Sequence, residues 1–252
     1  RFQTTYGLHP GDRALLSLRH FFANDLTSLA MEFWKDAENT EVFDERAYAD
    51  SVAHFAKKGL VGEARTVLAK AHQHSLTDPN FVLTVNYYMQ AILFCIQIGD
   101  LKELNLLTTK ISDAVPFGIS ASAFLVWVKS INDLILEHAN TIGNPTTELN
   151  RIKRRQKELF SIIKGLADKI ALTVPAELQF QYLRHQLLQM DSVDDIVPLI
   201  HSYYTSPNLD VMNGIIESAI FHRNFLLVRQ LLEKNATTPL NTTLVSVSPD
   251  QS

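Results

Sequence analysis

A chain of 252 residues, 46% hydrophobic and 20% charged, is long enough to bury a continuous core, which excludes disorder of the whole chain. Its net charge of −4 excludes the broad basic coat that accompanies non-specific nucleic-acid binding, so any nucleic-acid surface must be local. A lone cysteine, Cys95, rules out an internal disulfide. With no C-x-x-C or His/Cys cluster to hold zinc, a reducing interior compartment is the simplest reading. The longest apolar runs, AILFC at 91–95 and SAFLVWV at 122–128, fall far short of the ~20 residues that span a bilayer, so no transmembrane helix is expected.

The opening RFQTTYG is Arg-led, Thr-rich and free of acids, which suits the remnant of an organellar transit sequence as well as a flexible tail. From Pro10 to Ala37, apolar residues fall at helical spacing in two groups, Leu15, Leu16, Leu18, Phe21 and Phe22, then Leu26, Leu29, Ala30, Phe33 and Trp34. This predicts a helix pair, with Asp12 and Asp25 as N-caps. Asp44 caps a predicted helix over about 45–57, whose small Ala49, Val52, Ala53 and Ala56 allow close packing. Gly59 ends it, and Leu60, Val61, Ala64, Val67, Leu68 and Ala71 mark a second helix closed by Asp78-Pro79. A second unit follows over about 80–116, with its hinge at Gly99, a period of 40 from Gly59, and Leu101, Leu104, Leu106, Leu107 and Ile111 beyond it.

The hinge glycine is missing from the next predicted helix, Ser120 to about His138, so the repeat has lengthened. The stretch 141–149 is the clearest breaker. A helix after it carries Ile152, Leu159, Phe160, Ile163, Leu166 and Ile170 on one side and begins with five cations, Arg151, Lys153, Arg154, Arg155 and Lys157. Beyond Pro175 the two-helix register resumes, with Phe180 eleven residues before a hinge at Asp191 and Met212 eleven before Arg223. The second helices align at two and five residues past their hinges: Val61 and Ala64, Leu101 and Leu104, Val193 and Ile196, Phe225 and Val228. Helix pairs recurring in this way bury their faces by stacking, so the expected fold is an all-α solenoid. It would form one domain over 10–234, broken near 141–149, with flexible tails at 1–9 and 235–252.

Residues 48–80 resemble a pentatricopeptide repeat: Tyr48 near the start of the first helix, AKKG before the hinge, Gly62-Glu63-Ala64 in the second helix, and a Pro79-Asn80 close where the family usually has Pro-Asp. Segments starting at Tyr88, Phe180 and Met212 look like diverged copies, and the tetratricopeptide repeat is the near rival. The resemblance implies a right-handed α-solenoid of antiparallel helix pairs. It further implies binding of single-stranded or ribosomal RNA, or scaffolding of protein subunits in a larger complex, in mitochondrial gene expression. Carried over by position, the base-reading residues would be Ala49, Met89, Gln181 and Asn213, with closing partners Asn80 and Asn208. The amides of Gln181, Asn208 and Asn213 can pair with a base edge, whereas Ala49 and Met89 cannot.

The run Arg151–Lys157 is the candidate phosphate-binding patch, although a solvated helix face, part-neutralised by Glu148 and Glu158, explains the same letters. The tyrosines 48, 87, 88, 182, 203 and 204 and Phe180 can stack on bases, but Tyr48, Tyr88 and Phe180 sit where repeat cores pack. His72 and His74, two apart on a helix, face different directions and do not form a metal pair. No nucleophile elbow, phosphate loop, H-E-x-x-H or paired catalytic carboxylates occur, so no enzyme activity, cofactor or small-molecule substrate is expected.

Overall fold

Glycine placed just past a run of helix-spaced apolar residues is the chain's recurring local device. In a computed structural model describing residues 10–37, 43–114, 118–141 and 146–189, with Ile216 and Arg229, the regular structure among the described residues is entirely helical. The elements are α1 (Pro10–Ala23), α2 (Thr27–Ala37), α3 (Glu45–Lys57), α4 (Val61–Thr77), α5 (Val85–Ile98), α6 (Leu101–Ala114), α7 (Ala121–Thr141), α8 (Thr146–Lys169) and α9 (Ala176–Gln189). The chain divides into two compact units, Arg1–His185 and Gln186–Ser252. Of the second, the described residues are the last four of α9, Ile216 and Arg229. The hinges expected at Asp191 and Arg223, the tails, and Asn208 and Asn213 lie outside the described residues.

Within the first unit, α2, α4, α6 and α8 pack on α1, α3, α5 and α7 respectively. The odd-numbered helices also pack in sequence, α1 on α3, α3 on α5 and α5 on α7, and α6 packs on α8. The core between them holds Leu18, Val52, Phe55, Ala64, Tyr87, Phe94, Leu104, Leu107, Phe124, Trp127 and Ile131, each no more than 1% exposed. Each large apolar side chain buried this way contributes ~1.5–3 kcal/mol. Trp127 spends its one polar atom across the interface, its Nε1 donating to Met89 O at 3.2 Å. Cys95 is fully buried in α5, and that burial pushes its thiol pKa far up.

Turn geometry carries the helices back on one another. At Gly59 the backbone is left-handed (φ +71°); Gly59 N donates to Ala56 O at 3.0 Å and Leu60 N to Phe55 O at 2.9 Å, so the last carbonyls of α3 are satisfied. Gly99 (φ +66°) repeats the pattern, with its own N on Ile96 O and Asp100 N on Cys95 O at 2.9 Å. Two non-glycine residues do the same. Asp25 (φ +57°) closes α1, with Leu26 N on Phe21 O at 2.8 Å, and Ala171 (φ +52°) closes α8, with Leu172 N on Ala167 O at 3.1 Å.

Several local expectations change accordingly. Asp25 is the left-handed closer of α1, not the N-cap of α2, and it pairs with Lys58 beside the next turn. Asp12 lies inside the first turn of α1 because the helix already begins at Pro10; its carboxylate accepts from Arg46 at 2.9 Å. Asp44 does cap α3, its Oδ1 accepting from Ala47 N at 2.9 Å. The five-past-hinge positions Ala64 and Leu104 are fully buried, but Val61 is exposed because it opens the first turn of α4. Leu16, Leu26, Leu29 and Leu106, read as core from spacing, also face out.

Candidate functional site

The basic run occupies the first half of α8, and helical geometry sorts its five cations. Positions 153, 156, 159 and 163 recur at three- and four-residue steps and form the stripe that faces inward; Lys153 is 7% exposed, Gln156 6%, and Leu159 and Ile163 are fully buried. Arg151, Arg154 and Lys157, three residues apart at each step, lie on the opposite, exposed side. Arg151 faces Glu148 at 3.8 Å and Arg154 faces Glu158 at 3.5 Å, with the two arginine side chains 81% and 85% exposed. Such loose surface pairs are worth ~0–1 kcal/mol and give way readily to a stronger anion. Arg155 is exposed as well, but its side chain reaches across to a neighbouring turn. Its Nε donates to Gly99 O at 3.1 Å, across to the α5–α6 turn.

Of the position-derived reading residues, the three described, Ala49, Met89 and Gln181, are placed at least partly inside. Ala49 is fully buried, and Met89 is half-buried, with its carbonyl taken by Trp127. Gln181 is 8% exposed, and both its backbone O and its Oε1 accept from Asn132 Nδ2, at 3.0 and 3.1 Å. Asn132 Oδ1 therefore faces His185 Nδ1 at 3.0 Å, which makes Nδ1 the donor and leaves Nε2 unprotonated. Burial, with Lys157 nearby, holds His185 neutral by lowering its pKa to about 3, and Phe160 stacks on its ring at 3.9 Å. The amide of Gln181 is thus committed to joining α7 and α9. Asn80 is exposed, its N–H donating to Asp78 Oδ1 at 2.9 Å in the turn after α4.

The described aromatic candidates are chiefly packing groups; Tyr203 and Tyr204 lie outside the described residues. Tyr48, Tyr87 and Tyr88 are buried, and Tyr48 lies edge-on to Trp34 and Phe81 at 5.3 and 5.6 Å. Phe180 and Tyr182 are half-buried. His72 and His74 take separate partners. His74 stacks on Phe81 at 3.9 Å, whereas His72 Nδ1 faces Glu103 Oε1 at 3.5 Å, and burial lowers the His72 pKa to about 4. Among the described residues no group of three or more His, Cys, Asp or Glu gathers to hold a metal ion, and no helix is long and apolar enough to cross a membrane.

A cleft of about 340 Å³ opens where the ends of α1, α3 and α4 meet, lined by Asp12, Phe43, Asp44, Arg46, Asp78 and Phe81 among others. Its one cation, Arg46, already bridges Asp12 and Asp44. Asp44 is further engaged as the α3 cap.

Spacing alone places Lys153 on the inward stripe, since it falls three residues before Gln156 and six before Leu159. The Arg155 and Gln181 contacts leave no such signal, because their partners Gly99 and Asn132 are 56 and 49 residues away. No known protein family model matches this sequence, and no curated protein matches it.

Proposed function

We propose that this chain is a diverged helical-repeat protein of pentatricopeptide or tetratricopeptide kind, its helix pairs stacked into a right-handed solenoid. It acts without catalysis, as an RNA-binding module in mitochondrial gene expression, and holds RNA by the phosphate backbone through the exposed edge of α8. The stacking is supported by the sequential packing of α1, α3, α5 and α7, each with its partner helix. The RNA reading rests on one observation: Arg151 and Arg154 stand more than four-fifths exposed on loose carboxylate partners, three residues apart on one side of a long helix. Phosphate contacts of this type supply affinity with little sequence information. Buried Ala49 and the engaged Gln181 amide argue against base reading in the family's manner.

Binding of a labelled oligouridine, followed by anisotropy across salt concentrations, tests this. Arg151→Ala with Arg154→Ala is expected to flatten the negative salt slope by about one to two, close to one per lost phosphate contact. Absence of binding at low salt overturns the RNA reading. The same internal placement of reading positions, with a net charge of −4, favours the second reading, a protein-binding scaffold without direct RNA contact.

A further inference from the structure

Arg155 is exposed within the basic run, but unlike Arg151 and Arg154 its guanidinium is engaged on another turn of the fold. Gly99 closes α5 in a left-handed conformation and has no side chain; a Cβ there would run into the Nε and Cζ of Arg155, well inside van der Waals contact. The guanidinium fills the space that the missing side chain leaves, and its Nε donates to the Gly99 carbonyl. That carbonyl lies at the C-terminal end of α5, where the helix dipole favours a cation. Gly59, with the same backbone, has nothing within 4 Å of the equivalent point. The two glycines are therefore alike in conformation and different in use.

α8 is 24 residues long, and at its far end the Lys169–Asp113 pair, at 3.6 Å, is exposed on both sides. A planar group seated in a glycine socket fixes a helix more narrowly than such a pair, because it combines shape with a directed hydrogen bond. Arg151 and Arg154 lie within about one turn of that peg.

We propose that Arg155 is a positioning residue: it pegs α8 to the α5–α6 turn through Gly99 and thereby holds Arg151 and Arg154 in a fixed presentation, without itself neutralising a phosphate. This deepens the RNA reading and rests on it for its functional consequence. A preorganised pair of arginines loses less freedom on binding than two on a wandering helix. Lysine cannot replace Arg155 in this role, since its rounded ammonium lacks the flat Nε edge.

The test combines thermal unfolding without ligand and oligouridine binding across salt, on the full chain. Arg155→Ala and Gly99→Ala are expected to be non-additive by roughly 2–4 °C in Tm. Arg155→Ala with Gly59→Ala, which shares the backbone strain but not the contact, is expected to be additive. In binding, Arg155→Ala and Arg155→Lys are both expected to weaken affinity by roughly 2- to 30-fold with an unchanged salt slope. Restoration of affinity by Arg155→Lys, or a slope lowered by about one in Arg155→Ala, makes Arg155 a direct phosphate contact and overturns the proposal. Additivity with Gly99→Ala overturns the peg itself. If Gly99→Ala does not fold, amide exchange at Asp100 decides: its N–H closes the turn onto Cys95 O, so faster exchange in Arg155→Ala supports the peg and unchanged exchange overturns it. If the wild-type chain binds no oligouridine at low salt, the RNA reading fails, and the unfolding cycle alone decides the peg.

Discussion

Gly59 and Gly99 close successive first helices with the same pair of backbone hydrogen bonds and nearly the same φ, yet one turn is bare and the other is covered by a guanidinium from α8. At Gly59 the absent Cβ matters only for conformation, since a side chain there points into open space. At Gly99 it matters twice, for conformation and for a tertiary contact. A recurring local motif can thus become an anchoring point without any change in its own backbone, provided a side chain distant in sequence arrives to use the vacancy.

The widest separation between the two turns is expected from valine. Gly59→Val forces a β-branched residue into the left-handed region at about 2 kcal/mol, and Gly99→Val adds ~1–3 kcal/mol for expelling Arg155. Urea denaturation at 25 °C checks this; equal losses at both sites would erase the distinction. Acid comes next and is expected to act on both variants alike. Burial holds His72 and His185 down at pKa values of about 4 and about 3, against the ordinary histidine value of 6.5, so the unfolded chain takes up protons that the folded one refuses. The stability they protect is fully present above pH 6.5 and is lost as pH falls from there toward 4 and 3. Each costs on the order of 1–2 kcal/mol by pH 5, and the gap between the two valine variants should stay constant through the titration, since the Arg155–Gly99 contact does not titrate in that range.

Smaller effects refine the picture. Ala171 holds a left-handed turn without being glycine, so Ala171→Gly is expected to raise stability by less than about 1 kcal/mol, relief of strain outweighing added freedom in the unfolded chain. A lowered Tm would contradict it. Arg65 reaches Asp100, next to Gly99, at 2.9 Å from a half-exposed position. Arg65→Ala is expected to change stability by at most ~0.5 kcal/mol, which would leave Arg155 as the contact that distinguishes this turn.

What could be read in the letters follows the same division. Gly59, Gly99 and the Asp44 cap were legible because each local conformation selects its residue chemically, and α3 spans the stretch that its cap and glycine bracket. Asp25 misled because aspartate suits both an N-cap and a left-handed closer, and only the bonds of Leu26 and Phe21 separate the two roles. Ala171 carries no signal at all, being a good helix former held in an unfavourable conformation by its surroundings. The five cations of 151–157 look uniform as a string. Burial of Lys153 follows from period alone, but the turn of Arg155 toward Gly99 depends on a backbone carbonyl, which no letter encodes. Gln181 was legible as an amide and illegible as a buried one, because Asn132 supplies the reason from another helix.

Cys95, the chain's single cysteine, lies in α5 four residues before Gly99, fully shielded, and its backbone carbonyl accepts from Asp100 N–H in the turn that closes the helix. A thiol reacts as its thiolate, and this one is both covered and raised in pKa by its burial, so alkylation must wait for α5 to separate from α3, α6 and α7. The molecule therefore carries its own clock: the rate of maleimide labelling in native buffer reads the frequency of that opening, at the helix whose end the covered glycine secures.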